Sequence, residues 1–213
     1  LSAMADGQRF GWSSDLILTR TATALGAIAI FVTLQLKAKS PLLDMTLFTN
    51  PAFSAAVLVA TVFGFGNMAS SYAIPVFVQT VGGYSATAAG LVLIPAGIIL
   101  MALFPVSGRM SDQVPAHYPI AIGLLFFALG AALMTTTDTN TAFWTVAIYT
   151  MIGRFGMGLI MPPLVSSAMR TLEPDQLNRG SGALNFMRQL GGSIGINSLV
   201  VLISQRTHFH SDS

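Results

Sequence analysis

Gly108-Arg109-Met110-Ser111-Asp112 stands between two long apolar runs, Leu91 to Ser107 and Pro119 to Met134, and its reading decides the fold. Arg and Asp are costly inside hydrocarbon, so their position between such runs marks a membrane surface. Both runs are long enough to be spans. Composition agrees: 53% of the 213 residues are hydrophobic and only 8% are charged, with a mean hydropathy of +0.70. A soluble domain carries roughly a quarter charged residues, and a fold with so few could not cover its surface. The expected class is an all-α, polytopic membrane helix bundle.

A helix needs about 20 apolar residues to cross the hydrocarbon. Six stretches qualify: 16–36, 52–79, 86–107, 119–136, 142–169 and 181–204. They are apolar all round and too long for barrel strands, which alternate over ~10 residues. The connections carry the charge. Lys37, Lys39 and Asp44 follow the first span, residues 80–85 make an uncharged Gly-Gly turn, and the stretch 108–118 holds the opening motif. The connection 137–141 carries only Asp138, and 170–180 carries Arg170, Glu173, Asp175 and Arg179.

Connections alternate sides, so Lys37, Lys39, Arg109, Arg170 and Arg179 fall on one side. Arg9 and Arg206 fall on the other, and Arg20 lies early enough in the first span to snorkel outward. The excess of basic residues makes the first side cytoplasmic. The expectation is a multi-pass protein of the plasma (inner) membrane, with loops 37–51, 108–118 and 170–180 in the cytoplasm and membrane lipid around it.

Residues 1–14 carry Asp6 and Arg9 and do not read as a signal peptide; the chain does not begin with Met, and its natural N-terminus is expected upstream. There is no cysteine, so disulfides and thiolate metal sites are excluded. His208 and His210 are an i,i+2 pair in the tail, read as solvated rather than as a metal site, because one pair is not a ligand set. The net charge of +2 does not point to nucleic acid. No Gly-x-Ser-x-Gly elbow, P-loop or His-Glu-x-x-His is present, so the chain is not read as an enzyme and no cofactor is expected.

Arg154 lies deep in the fifth stretch, where a central Arg costs about 2.5–3.5 kcal/mol on insertion scales. It is expected to face the bundle interior or a cavity and to pair with something. A functional arginine and a structural one bonded to helix carbonyls are both open readings. Asn185, Arg188 and Gln189 share one helix face at i, i+3 and i+4. That stripe either lines a water-filled path, or Arg188 snorkels to a helix end about 10–12 Å away. None of the six spans contains Asp or Glu, so a coupling carboxylate for proton-driven transport would lie outside this chain. Pro75, Pro95, Pro105, Pro162 and Pro163 fall inside spans, and glycines recur at 64, 66, 90, 97, 153, 156, 158, 191, 192 and 195. Close packing and bending are both open for these positions.

Several of these stretches resemble one family in order and rank. Residues 108–112 are similar to the Gly-x-x-x-Asp loop of the major facilitator superfamily. Arg154-Phe155-Gly156-Met157-Gly158 resembles its fourth-helix arginine motif, and 180–195 resembles its Gly-rich fifth helix. Pro41 to Phe48, Gly83-Tyr84-Ser85, Ala89-Gly90-Leu91, Pro95-Ala96-Gly97, Met161 to Leu164 and Asn185 to Gly192 resemble the second half of the fourteen-helix multidrug drug:proton antiporters. One departure is Gln113-Val114-Pro115, where the family has a basic residue and Gly after the Asp.

The resemblance implies an incomplete major facilitator fold. Residues 1–50 would hold a linker helix and its cytoplasmic connection, 51–204 helices one to five of the C-terminal six-helix half, and 205–213 a polar tail. The N-terminal half would be the missing partner. It implies proton-coupled efflux of small amphipathic or cationic drugs by the full-length transporter. Gly108, Arg109 and Asp112 would form a gating loop in which Arg109 and Asp112 tie helix ends. Arg154, Asn185, Arg188 and Gln189 would line the pathway, and Gly156, Gly158, Pro162, Pro163, Gly191 and Gly192 would permit bending. Phe63, Phe65, Phe77, Met68 and Met157 would line the drug site in part. The same fold with a siderophore, peptide or metabolite as cargo is a second reading, and a non-transporting membrane fragment a third.

Overall fold

The computed structural model describes residues 15–37 and 44–211. The expectations for Arg9 and Lys39, and for the side chains of Arg20, Lys37, Arg206, His208 and His210, lie outside the described residues and side chains. The described chain is helical: α1 (Asp15–Lys37), a 3-10 turn (Met45–Thr49), α2 (Pro51–Thr80), α3 (Ala86–Leu91), α4 (Leu93–Gln113), α5 (His117–Met134), α6 (Phe143–Arg170) and α7 (Leu177–Ser211). Among the described residues there is no strand. Five helical stretches are long and apolar enough to cross a membrane: α2, α3 with α4, α5, α6 and α7 to Ile203. The first predicted span coincides with α1, a helix of 23 residues. Large apolar side chains face outward, as Met101 does at 72% exposure, which lipid tolerates and water would not.

Two of the predicted boundaries that change lie around the third span. The third span is broken at Val92, between α3 and α4. Pro95 has no N–H to donate to the Leu91 carbonyl four residues back, and its ring crowds that carbonyl. The predicted loop 108–118 is mostly helix: α4 continues through Gln113, so Gly108, Arg109 and Asp112 sit on its last turns, and His117 opens α5. Charge did not mark the helix end, because a helix can project past the hydrocarbon before Pro115 stops it.

Small residues set the packing. α2 packs chiefly on α7, and α6 on α5 and α4; a thinner α2–α6 contact joins the two groups. A Cβ on Gly130 would meet the Gly153 nitrogen at 2.6 Å, and one on Gly123 the Gly156 carbonyl oxygen at 2.6 Å. Across α2 and α7, a Cβ on Gly64, Gly191 or Gly195 would strike the backbone of Arg188, Thr61 or Phe65. These glycines let backbones touch, the usual route to helix association in lipid. The buried core runs through Phe53, Val57, Ala60, Ile160, Leu164 and Leu184 at the interface of α2, α6 and α7.

Proline in α6 creates a specific need. Pro162 provides no N–H for the carbonyl of Gly158, four residues back. The fully buried Ser107 of α4 donates its hydroxyl to that carbonyl oxygen at 2.7 Å. The bond both satisfies a backbone group that lipid cannot and joins α4 to α6.

At one end of the bundle, Asn50 caps α2 by accepting from the amides of Ala52 and Phe53, and its side-chain amide donates to the Thr171 carbonyl at 3.1 Å. Asp44 accepts from the Thr46 amide at 3.0 Å and hydroxyl at 2.6 Å, and pairs with Arg179 at 2.7 Å. Asp112 pairs with Arg170 at 2.7 Å. The predicted connections after the first, third and fifth spans therefore meet on one side. At the opposite end the Gly-Gly turn, with Gly83 at φ 66°, brings Tyr84 against Phe143, ring centroids 5.4 Å apart.

Ser107→Ala is expected to lower stability by about 1–3 kcal/mol, the cost of stranding a buried acceptor. The loss should shrink in a Pro162→Ala background, where the residue-162 amide can donate to the Gly158 carbonyl; thermal melts of the four variants in detergent measure this. The Thr46 bonds, with Arg179 behind them, hold the Asp44 carboxyl below the usual carboxylate value. Its contribution is therefore complete above the unfolded value of about 3.9 and disappears as pH falls through the lower folded value. Melting temperatures of wild type and Asp44→Asn should separate above the unfolded value of about 3.9 and converge as pH falls below it.

Candidate functional site

Arg154 sits about 16 Å along α6 from Phe143, deep in a hydrocarbon layer about 30 Å thick. Its Nη1 donates to Asn67 Oδ1 at 2.7 Å and its Nη2 to Ser71 Oγ at 2.7 Å. Both acceptors are on α2, one turn apart, so the planar guanidinium fork spans a single helix face. Arg154 is half-buried and pairs across helices, not with its own carbonyls. The bonds lie in the thin α2–α6 contact, where they tie the α2–α7 pair to the α4–α5–α6 group.

Two hollows adjoin this arginine. A cleft of about 600 Å³ between α2, α5 and α6 is bordered by Phe65, Ile74, Phe127, Tyr149, Met157 and Arg154, with Leu199 of α7 at its edge. Its walls are almost wholly apolar. A second pocket of about 280 Å³ lies between α2 and α7 and contains Asn67, Arg188, Gln189 and Ser193. Asn67 thus touches Arg154 on one side and borders the Arg188 pocket on the other.

The predicted stripe on α7 is partly assembled. Arg188 Nη2 donates to Asn185 Oδ1 at 2.9 Å, and Arg188 and Gln189 line the smaller pocket. α7 begins one turn earlier than its apolar pattern indicated, which places Arg188 about 16 Å from the helix start. Asn185 is exposed and is not among the pocket residues.

The opening motif is arranged differently from the expectation. Asp112 pairs with Arg170 at the end of α6, both largely exposed, while exposed Arg109 meets no carboxylate among the described residues. An exposed pair of this kind contributes about 0–1 kcal/mol. Ser111, between them, is buried and donates to the Ser107 carbonyl at 3.1 Å. Gly156 and Gly191 stand at helix contacts, Gly158 against Leu103, and Gly192 against Met68. Pro162 and Pro163 are accommodated within a continuous α6. The proposed aromatic and Met lining does not converge on one hollow: Phe63 is in the core, Phe65 and Met157 border the larger cleft, Met68 borders the smaller pocket, and Phe77 packs on the Ile74–Val78 cluster.

Asn67 and Ser71 were missed by sequence reasoning, although Gly66-Asn67-Met68-Ala69-Ser70-Ser71 is a polar interruption of an otherwise apolar span. Removing Asn67 should cost more than removing the charge it serves, because the guanidinium stays buried with one acceptor gone. Asn67→Leu is expected to destabilise by about 1–3 kcal/mol. Adding Arg154→Met should recover much of that loss; a melt series in which the double variant is no better than Asn67→Leu would contradict it.

Residues 6–196 match the Major Facilitator Superfamily profile. The multidrug transporter protein MdtP of Bacillus subtilis is 29% identical over 201 residues, covering 94% of this chain and 37% of that relative. The methylenomycin A resistance protein of Streptomyces coelicolor is 29% identical over 205 residues, 94% of this chain and 42% of its own length. A multidrug resistance protein B homolog of Mycobacterium tuberculosis is 31% identical over 199 residues, 92% of this chain and 37% of its own. The chain thus spans about two-fifths of the length of these relatives. With a helical bundle, five stretches able to cross a membrane and a family match over nearly its whole length, this chain is a multi-pass membrane protein and belongs to the Major Facilitator Superfamily, a family of transporters rather than enzymes.

Proposed function

We propose that this chain is the C-terminal portion of a secondary transporter that exports amphipathic or cationic drugs in exchange for protons. The observation that carries the reading is Arg154, held in mid-bundle by Asn67 and Ser71 beside a cleft of about 600 Å³. A cost of about 2.5–3.5 kcal/mol for a central arginine is sustained where the group has a role to perform. The similarity to proteins named for multidrug, methylenomycin A and multidrug-B resistance supports a drug cargo.

In this reading residues 1–50 hold a linker helix and its connection, and α2 to α7 are helices one to five of the second half, the polar tail expected at 205–213 continuing α7 through Ser211. The end carrying Asp44, Asp112, Arg170 and Arg179 faces the cytoplasm of the plasma membrane. The absence of Asp and Glu from the interiors of α2 and α4–α7 supports a coupling carboxylate that lies outside this chain. The two halves rock about a midplane site, as secondary transporters do. The Asp112–Arg170 pair closes one end of α4 on α6, and the glycines with Pro162 and Pro163 supply the compliance for movement.

Arg154→Ala in the full-length transporter is expected to lower drug efflux at least about tenfold, equivalent to about 1.4 kcal/mol. Efflux of a fluorescent cationic dye and resistance in a susceptible host, at matched expression, measure it. Unchanged efflux and resistance would remove Arg154 from the pathway.

A further inference from the structure

Two guanidiniums stand within the described bundle, those of Arg154 and Arg188, while every described carboxylate stands at a helix end or in a connection. Arg154 is answered by neutral groups, the oxygens of Asn67 and Ser71 and the sulfur of Met157. Arg188 is answered by the neutral oxygen of Asn185. Among the described residues neither meets a carboxylate. These bonds satisfy direction but leave the positive charge uncompensated, and low surrounding polarity makes that charge act strongly on any anion admitted.

The pocket between α2 and α7 gathers donors. Arg188, Gln189 and Ser193 line it, residues that carry a guanidinium, an amide and a hydroxyl, the guanidinium being held at its edge by Asn185. Asn67 turns its oxygen to Arg154 and still has both amide N–H groups to donate. Gly64, Met68, Gly192 and Ile196 complete its lining. A volume of about 280 Å³ admits a carboxylate with a short length of its carbon chain.

We propose that this pocket is a carboxylate-binding site, in which Arg188 supplies the charge and Asn67, Gln189 and Ser193 the orienting hydrogen bonds. Paired oxygens on a planar carboxylate match the guanidinium fork. The carboxylate comes either from an acidic or zwitterionic amphipathic cargo, or from an Asp or Glu of the transporter outside this chain. The site rests on the transporter reading and sharpens it: a cargo that reaches this pocket does so with its acidic end.

The test uses the full-length transporter purified in detergent, with two arms. In the first, octanoate, octanol and octylamine are titrated separately while the melting temperature is followed. A cargo site should respond to octanoate at about tenfold lower concentration than to the other two. The preference should disappear in Arg188→Gln and persist in Arg188→Lys, which keeps the charge. In the second, no ligand is added and stability is followed against pH. An arginine beside a protein carboxylate depresses its pKa, so Arg188→Gln should move the acid midpoint upward and Arg188→Lys should move it less; that result assigns the carboxylate to the protein itself. An octanoate preference that survives Arg188→Gln, or no preference together with an unmoved midpoint, overturns the site. Dye efflux by the same preparations is read separately: its absence in wild type would count against the transporter reading, not against the binding comparison.

Discussion

Hydrocarbon offers no hydrogen bonds, so every backbone polar group inside it must find a partner in the protein. The Ser107–Gly158 bond is a direct consequence of that constraint. Pro162 withdraws one donor from α6, and a hydroxyl from α4 replaces it. α4, lying against the proline, thus supplies the partner that α6 itself cannot. The glycine contacts that bring α5 and α2 onto their neighbours have their origin in the same solvent. With no water to expel, helices gain by close approach, and a Cβ at Gly130 or Gly191 would prevent it.

Charge obeys a stricter version of the same rule. Among the described residues the acidic groups remain at helix ends, where they tie α4 to α6 and the 3-10 turn to α7. Among the described side chains, Arg154 and Arg188 bring charge into the bundle interior. Arg154 spans the thin contact between the α2–α7 pair and the α4–α5–α6 group. A bond at that position links the two groups without the glycine packing found inside each of them.

Much of the fold was legible in sequence because the membrane imposes length and polarity directly. Five predicted spans coincide with α1, α2, α5, α6 and α7, with α7 extending past both predicted ends; α3 and α4 divide the remaining one. The break at Val92 was foreshadowed by Pro95, but prolines at 75, 105, 162 and 163 do not break their helices, so proline alone is an ambiguous sign. The 108–112 motif was read as a loop because its charges mark a surface. Its backbone is helical because bonding along α4 continues beyond the apolar run, with Ser111 buried against the preceding turn. The buried arginine was legible from its cost. Its partners were not, since Asn67 and Ser71 lie more than 80 residues away in the chain.

The sequence by itself determined that this is a multi-span helical membrane protein, which helices it contains, and that an arginine lies in its interior. Hydropathy and spacing are properties of each helix alone, so they need no partner to be read. Only the tertiary structure decided that Arg154 bonds to α2, that Ser107 answers the carbonyl left by Pro162, that Asp112 reaches Arg170 and that Arg188 opens onto a donor-rich pocket. Each of those depends on which faces of distant helices meet. In lipid that choice is made by shape and by pairs of polar groups, which no local pattern encodes.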